Sequence, residues 1–157
     1  MGNILVAYFS ATGRTAKVAR KMAGELGADI YEIQPVVKYE KADLNWMDKK
    51  SRSTIEMNNK SFRPEIIVGD VDVSKYDTIY LGFPIWWYVA PTIINTFLES
   101  YDLTGKTIIP FATSGGSGID NTVEELKPSA KGAVIKEGTV LNRVSSDKLA
   151  KWLDEVK

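Results

Sequence analysis

The chain contains no cysteine and no histidine in 157 residues. Without cysteine there is no disulfide framework, no thiolate nucleophile and no thiolate metal site. Without histidine the commonest general base and the commonest transition-metal ligand are missing too. A metal centre is therefore not expected, and any reaction points to a bound organic cofactor. A charge surplus is also lacking: 20 Lys and Arg offset 20 Asp and Glu, spread evenly along the chain. A nucleic-acid binder needs excess cation to displace counterions, and a polybasic membrane anchor needs a cationic cluster. Neither partner is expected. No apolar run approaches the ~20 residues that span a bilayer. The opening MGNILVAYFSATG has neither a basic n-region nor a small-residue cleavage site, so no signal peptide is read there and the expected location is cytoplasmic.

What is present suits one globular domain over residues 1–157, with a single sizeable core. Strand and helix patterns alternate. Residues 3–9 (NILVAYF) form a continuous apolar run, as in a central parallel strand covered on both faces. Residues 13–26 read as a helix with Val18, Met22 and Leu26 four apart, stopped by Gly27. Strands are predicted over 28–34, 77–83, 106–112 and 132–137, although Pro110 is awkward in a central ladder. Helices are predicted over 91–99, with Pro91 as first residue, over 119–127 before Pro128, and over 146–156. The last opens on Ser145-Ser146-Asp147 and carries Leu149, Trp152, Leu153 and Val156 on one face. About five βα units imply an open α/β parallel sheet with right-handed crossovers. Residues 35–76 break the pattern. They are long, polar and poorly periodic, with a short helix predicted near 43–50. Such a segment in a compact domain is usually functional or partly mobile.

Three loops stand out. Ser10-Ala11-Thr12-Gly13-Arg14-Thr15 lies where the first strand turns into a helix. Unbonded backbone N–H groups and the positive end of the helix dipole converge at such a point, which suits an anion. The hydroxyls add neutral donors, and Gly13 permits close backbone approach. Neither G-x-x-x-x-G-K-[ST] nor G-x-G-x-x-G is present at this strand. Alone, the loop reads equally well as simple helix capping. The second loop, after the third strand, is Gly82-Phe83-Pro84-Ile85-Trp86-Trp87-Tyr88-Val89-Ala90-Pro91. Three consecutive aromatics would expose a large apolar surface unless a flat ring covers them; plugging the core accounts for one or two of them, hardly for all three. The third, after the fourth strand, is Thr113-Ser114-Gly115-Gly116-Ser117-Gly118. Its glycines let the backbone run against a ligand with N–H groups directed at it, and its bland alternative is a flexible turn. Ligands of open α/β sheets bind beyond the carboxyl ends of the strands, at the switch in strand order. With the order 2-1-3-4-5, all three loops meet there, and a phosphorylated flat heterocycle fits them together.

These motifs resemble the flavodoxin family. S-A-T-G-R-T is similar to its T/S-x-T-G-x-T FMN-phosphate loop, and G-F-P-I-W-W-Y followed by T-S-G-G-S-G resembles a short, flavodoxin-like subgroup. The resemblance covers nearly the whole chain. It implies a flavodoxin-like three-layer sandwich with a five-stranded parallel sheet in order 2-1-3-4-5, and FMN as cofactor. It implies that Ser10, Thr12, Gly13 and Thr15, with the backbone of Ala11 and Arg14, bind the phosphate. Pro84, Ile85, Trp86, Trp87 and Tyr88 would flank the isoalloxazine ring, and Thr113, Ser114, Gly115, Gly116, Ser117 and Gly118 would form the other flavin loop. Three features depart from the family. Arg14 stands where Asn is frequent, so its side chain is expected in solvent. The third loop has no aromatic, so ring stacking falls to Trp86, Trp87 or Tyr88, or to Trp46. The chain is neutral where electron-carrier flavodoxins are usually strongly acidic.

The implied function is low-potential electron transfer between redox partner proteins, by a monomer or weak dimer with no catalytic side chain of its own. The ring-flanking loops contain no Lys, Arg, Asp or Glu, so an anionic reduced flavin gains little stabilisation there. Asp120, Glu124 and Glu125 read either as a local acidic docking patch or as an ordinary helix start, where acids suit the dipole. The alternative function is an NAD(P)H-dependent quinone or small-molecule reductase on the same fold. It rests on the neutral charge and on segment 35–76, where Trp46, Arg52, Ser53 and Arg63 are candidates for a lid or a second-substrate site.

Overall fold

The computed structural model describes residues 3–11, 13–44, 47–59, 62–67, 71–85, 90–113, 120–136, 138–141 and 146–156. The first apolar run is strand β1 (Asn3–Tyr8). Successive side chains point to opposite faces of a strand, so Leu5 and Ala7 join one core cluster while Val6 and Tyr8 join the other. Burial on both faces is why the run is continuously apolar rather than alternating. Helix α1 (Arg14–Leu26) follows, ending at Gly27 with φ 61°, whose N–H donates to the Ala23 carbonyl. Its buried stripe is Ala16, Ala19, Met22 and Ala23, whereas Val18 and Leu26 are only half-buried. The expected Val18–Met22–Leu26 face is thus rotated toward the alanines, whose small side chains fit where the helix lies on the sheet.

Strand β2 (Asp29–Glu32) pairs with β1. Short helix α2 (Arg52–Met57) precedes β3 (Tyr76–Pro84), which pairs on its other edge with β4 (Thr107–Thr113). Helices α3 (Thr92–Glu99) and α4 (Asp120–Leu126) lie either side of β4 in the chain. The fifth position is shared by β5 (Val134–Ile135) and β6 (Thr139–Val140), both parallel to β4, and α5 (Ser146–Val156) ends the chain. The order is β2-β1-β3-β4-β5, with β6 an addition on β4. Ile93, Ile94, Phe97 and Leu98 of α3 pack on the face carrying Leu5, Leu81 and Ile108. Ala19 and Met22 of α1, with Leu149 and Leu153 of α5, pack on the face carrying Val6, Tyr80 and Phe111. Helices therefore cover both sides of the parallel sheet, as the flavodoxin-like sandwich requires.

Four local expectations change. Pro91 is the N-cap of α3 rather than its first residue. Pro110 sits in a regular ladder beside Leu81 of β3. The carbonyls of Lys106, Ile108 and Ala112 all accept from the β5–β6 side. Pro110 shares their alternation, so its ring nitrogen faces the β5–β6 side, level with the interruption between the two short strands. The same interruption replaces the single strand expected over 132–137. Finally, the helix expected near 43–50 lies later: residues 41–44 form one 3-10 turn, and α2 begins after Ser51, whose hydroxyl accepts from the Thr54 N–H.

Candidate functional site

The site grows from the carboxyl ends of β1, β3 and β4. The Phe9 N–H donates to the Gly82 carbonyl at 2.9 Å, drawing the exit of β1 against that of β3. Gly82 lies in register with Phe111 of β4, and a Cβ at position 82 would run into the Phe111 ring. Glycine is needed there for packing, before any loop geometry is considered.

In the first loop the Gly13 N–H donates to Ser10 Oγ at 3.0 Å, closing a tight turn. Gly13 has φ 92°, a left-handed conformation that a side chain would strain, and open space lies where its Cβ would be. The N-cap of α1 is Gly13, which has no side chain to cap the helix, and no acid stands in the first turn. The positive end of the dipole and the first-turn amides suit a negatively charged acceptor. These features fit a phosphate group. Arg14 is exposed, in keeping with a side chain in solvent.

The hydroxyls of Thr15 and Thr113 are hydrogen-bonded at 2.8 Å, both residues being buried. The Thr113 carbonyl accepts from the Ile85 N–H at 2.9 Å. Residues of all three loops are thus joined directly, and Ala11 and Ile85 pack against the same core cluster. Pro84 is half-buried and in register with Thr113. The other candidates, Thr12, Trp86, Trp87, Tyr88, Ser114, Gly115, Gly116, Ser117 and Gly118, lie outside the described residues. So does Trp46.

On the far side of β1 the long segment forms an excursion. Pro35 bridges Ile66, the Val36 N–H donates to the Glu65 carbonyl, and the Ile67 N–H donates to the Gln34 carbonyl. The enclosed residues 36–65 are pinned by a charged cluster. Glu56 is nearly fully buried, accepting from the Tyr39 hydroxyl and, at 2.8 Å, from Arg52 Nε. Arg52 also donates to the carbonyls of Val37 (2.7 Å) and Lys38 (3.1 Å), with its guanidinium 3.8 Å from the Tyr39 ring centroid. Burial, then the bond to Glu56, pushes the Tyr39 phenol far above its usual value of 10.0. The Tyr39 ring meets Phe9 edge-on at 5.6 Å, fixing the excursion beside the end of β1. Between them lies a cleft of about 250 Å³ lined by Ser10, Ala11, Gln34, Lys38 and Tyr39, among others.

No sequence signal marked Gln34, Lys38 or Tyr39, because only the fold brings them to Ser10. The described lid or second-substrate candidates have separate partners. Arg52 serves Glu56, Ser53 is buried, and Arg63 pairs with Glu99 of α3 at 2.9 Å. Near the third loop, Glu124 is exposed and bonded to Lys127 at 2.8 Å, Glu125 is exposed, and the Asp120 side chain lies outside the described residues. Among the described residues, no three His, Cys, Asp or Glu gather as a metal site, and no helix is long and apolar enough to cross a membrane.

A flavodoxin family model matches residues 3–156. The chain belongs to the flavodoxin family. Two solved structures of provisional flavoproteins are similar to this flavodoxin-family chain. That from Bacteroides eggerthii DSM 20697 is 47% identical, with 99% of this chain and 98% of that chain covered and a TM-score of 0.94. That from Bacteroides uniformis ATCC 8492 is 50% identical, with 98% of each covered and a TM-score of 0.93. The flavoprotein of Lactobacillus acidophilus NCFM, solved in complex with FMN, is 25% identical over 98% of this chain and 99% of that one, with a TM-score of 0.74. No match is found among curated proteins.

Proposed function

We propose that this flavodoxin-family protein uses FMN, held by the loops after β1, β3 and β4, as a low-potential one-electron carrier between protein partners. FMN is the cofactor, and when bound it supplies the electron chemistry. The observation that carries the reading is the convergence on Thr113, which joins the three loops through uncharged groups alone. The related Lactobacillus acidophilus flavoprotein, which holds FMN, supports the cofactor.

The residues divide by chemistry. The hydroxyls of Ser10, Thr12 and Thr15, the backbone of Ala11 and Arg14, and the close approach at Gly13 take the phosphate, with the α1 dipole favouring its negative charge. Pro84, Ile85, Trp86, Trp87 and Tyr88 flank one side of the ring. Thr113, Ser114, Gly115, Gly116, Ser117 and Gly118 offer backbone donors at its edge. With no Lys, Arg, Asp or Glu in either ring-flanking loop, negative charge arriving on the ring meets no compensating cation, which lowers its potential.

One observation favours the second reading, an NAD(P)H-dependent reductase of a quinone or another small molecule. The cleft beside Ser10 has room and polar groups for a second ligand. The two readings separate when FMN-loaded protein is mixed anaerobically with NADH or NADPH. The carrier stays oxidised over minutes, whereas prompt bleaching of the flavin and turnover on an added quinone establish the reductase.

A further inference from the structure

We infer that Thr113 is a positioning residue for the FMN phosphate, acting from the end of β4 through the hydroxyl of Thr15. The inference rests on the phosphate site proposed above. Thr15 is the second residue of α1 and Thr113 the last of β4, 98 positions apart in the chain. They are 2% and 5% exposed, so solvent does not compete for their 2.8 Å bond.

A hydroxyl donates one proton and accepts through its lone pairs. A pair joined by one bond therefore keeps one spare proton. If Thr15 donates to Thr113, the spare proton is at the start of the third loop. If Thr113 donates to Thr15, it is on Thr15, in the first turn of α1. A phosphate in the first loop selects the second arrangement, because a negative oxygen accepts the Thr15 proton. The result is a chain of donors from Thr113 to Thr15 to phosphate oxygen, in which each bond polarises the next.

Thr113 is well placed to anchor that chain. Its carbonyl accepts from the Ile85 N–H, and its strand pairs with β3 as far as Pro84. Its backbone is therefore held by the sheet, and the hydroxyl bond ties Thr15 to that fixed point. The same residue begins the third loop. Its side chain serves the phosphate end, whereas its link to the second loop runs through its backbone carbonyl.

The test compares FMN with riboflavin, which lacks the phosphate, by quenching of flavin fluorescence on titration with apoprotein. In Thr113→Val, FMN affinity falls about five- to tenfold and riboflavin affinity changes by less than about twofold. Thr113→Ser keeps the hydroxyl and restores FMN binding. The double variant Thr15→Val/Thr113→Val binds FMN no more weakly than Thr15→Val, since Thr113 acts only through Thr15. Equal losses for both flavins in Thr113→Val, or losses that multiply in the double variant, overturn the inference while leaving the phosphate site standing. Wild-type protein that binds riboflavin as tightly as FMN overturns the phosphate site and the inference with it. Thermal unfolding of each apoprotein checks folding. If Thr113→Val does not fold, Thr113→Ala takes its place with the same expected split between the two flavins.

Discussion

Two different constructions flank the carboxyl end of β1. On the β3–β4 side, the loops are joined by uncharged groups: a hydroxyl pair and a backbone bond, both at Thr113. On the β2 side, the excursion 36–65 is held by a carboxylate, a guanidinium and a phenol that satisfy one another. The uncharged side leaves donors for a ligand. The charged side turns one carboxylate inward, Glu56, buried against Arg52 and Tyr39. The two sides thus differ in chemistry: the β3–β4 side is joined without charge, whereas on the β2 side a buried carboxylate is compensated by Arg52 and Tyr39 and the exposed Lys38 lines the cleft beside Ser10.

The largest effect is expected on the charged side. Glu56→Ala leaves Arg52 and Tyr39 without their acceptor, and breaking a buried pair costs about 3 kcal/mol. Limited proteolysis should then cut first within 36–65, while FMN affinity changes far less than stability. Gly82→Ala strikes the other side. Its Cβ meets the Phe111 ring, and overpacking of this kind costs about 2 kcal/mol, read from chemical denaturation. Here FMN binding should fail together with stability, because β3 and β4 carry two of the three loops.

Gly13→Ala comes next. At φ 92° a side chain costs about 1 kcal/mol of backbone strain. It also intrudes on the open space assigned to the phosphate, so FMN affinity should fall more than riboflavin affinity. The smallest effect is the pH dependence of Tyr39. Its folded phenol keeps a proton that the unfolded chain releases near 10.0. Its contribution is complete below that pH and is lost as pH rises through the higher folded value. Stability should decline on the alkaline side, and Tyr39→Phe should flatten that decline when unfolding midpoints are compared at about pH 9 and pH 11.

The sheet was largely legible because β1, β3 and β4 are buried on both faces and so read as unbroken apolar runs. The first loop was legible because its hydroxyls and glycine are adjacent in the chain. What was not legible depends on distant partners. Helix α2 has only six residues, too few for a periodic signal, and its buried Glu56 is explained by Tyr39, 17 positions away. Pro110 read as a fault because the interruption between β5 and β6 that accommodates it lies more than 20 residues later. Thr113 was marked by its glycine-rich neighbours, yet its bond to Thr15 has no local trace.

The central claim is a low-potential FMN carrier with no compensating charge beside the ring, and anaerobic potentiometric titration of the FMN-loaded protein tests it most directly. Two resolved one-electron steps are expected, the lower lying below the corresponding step of free FMN. A lower step well above that of free FMN, or a single unresolved two-electron step, would contradict it.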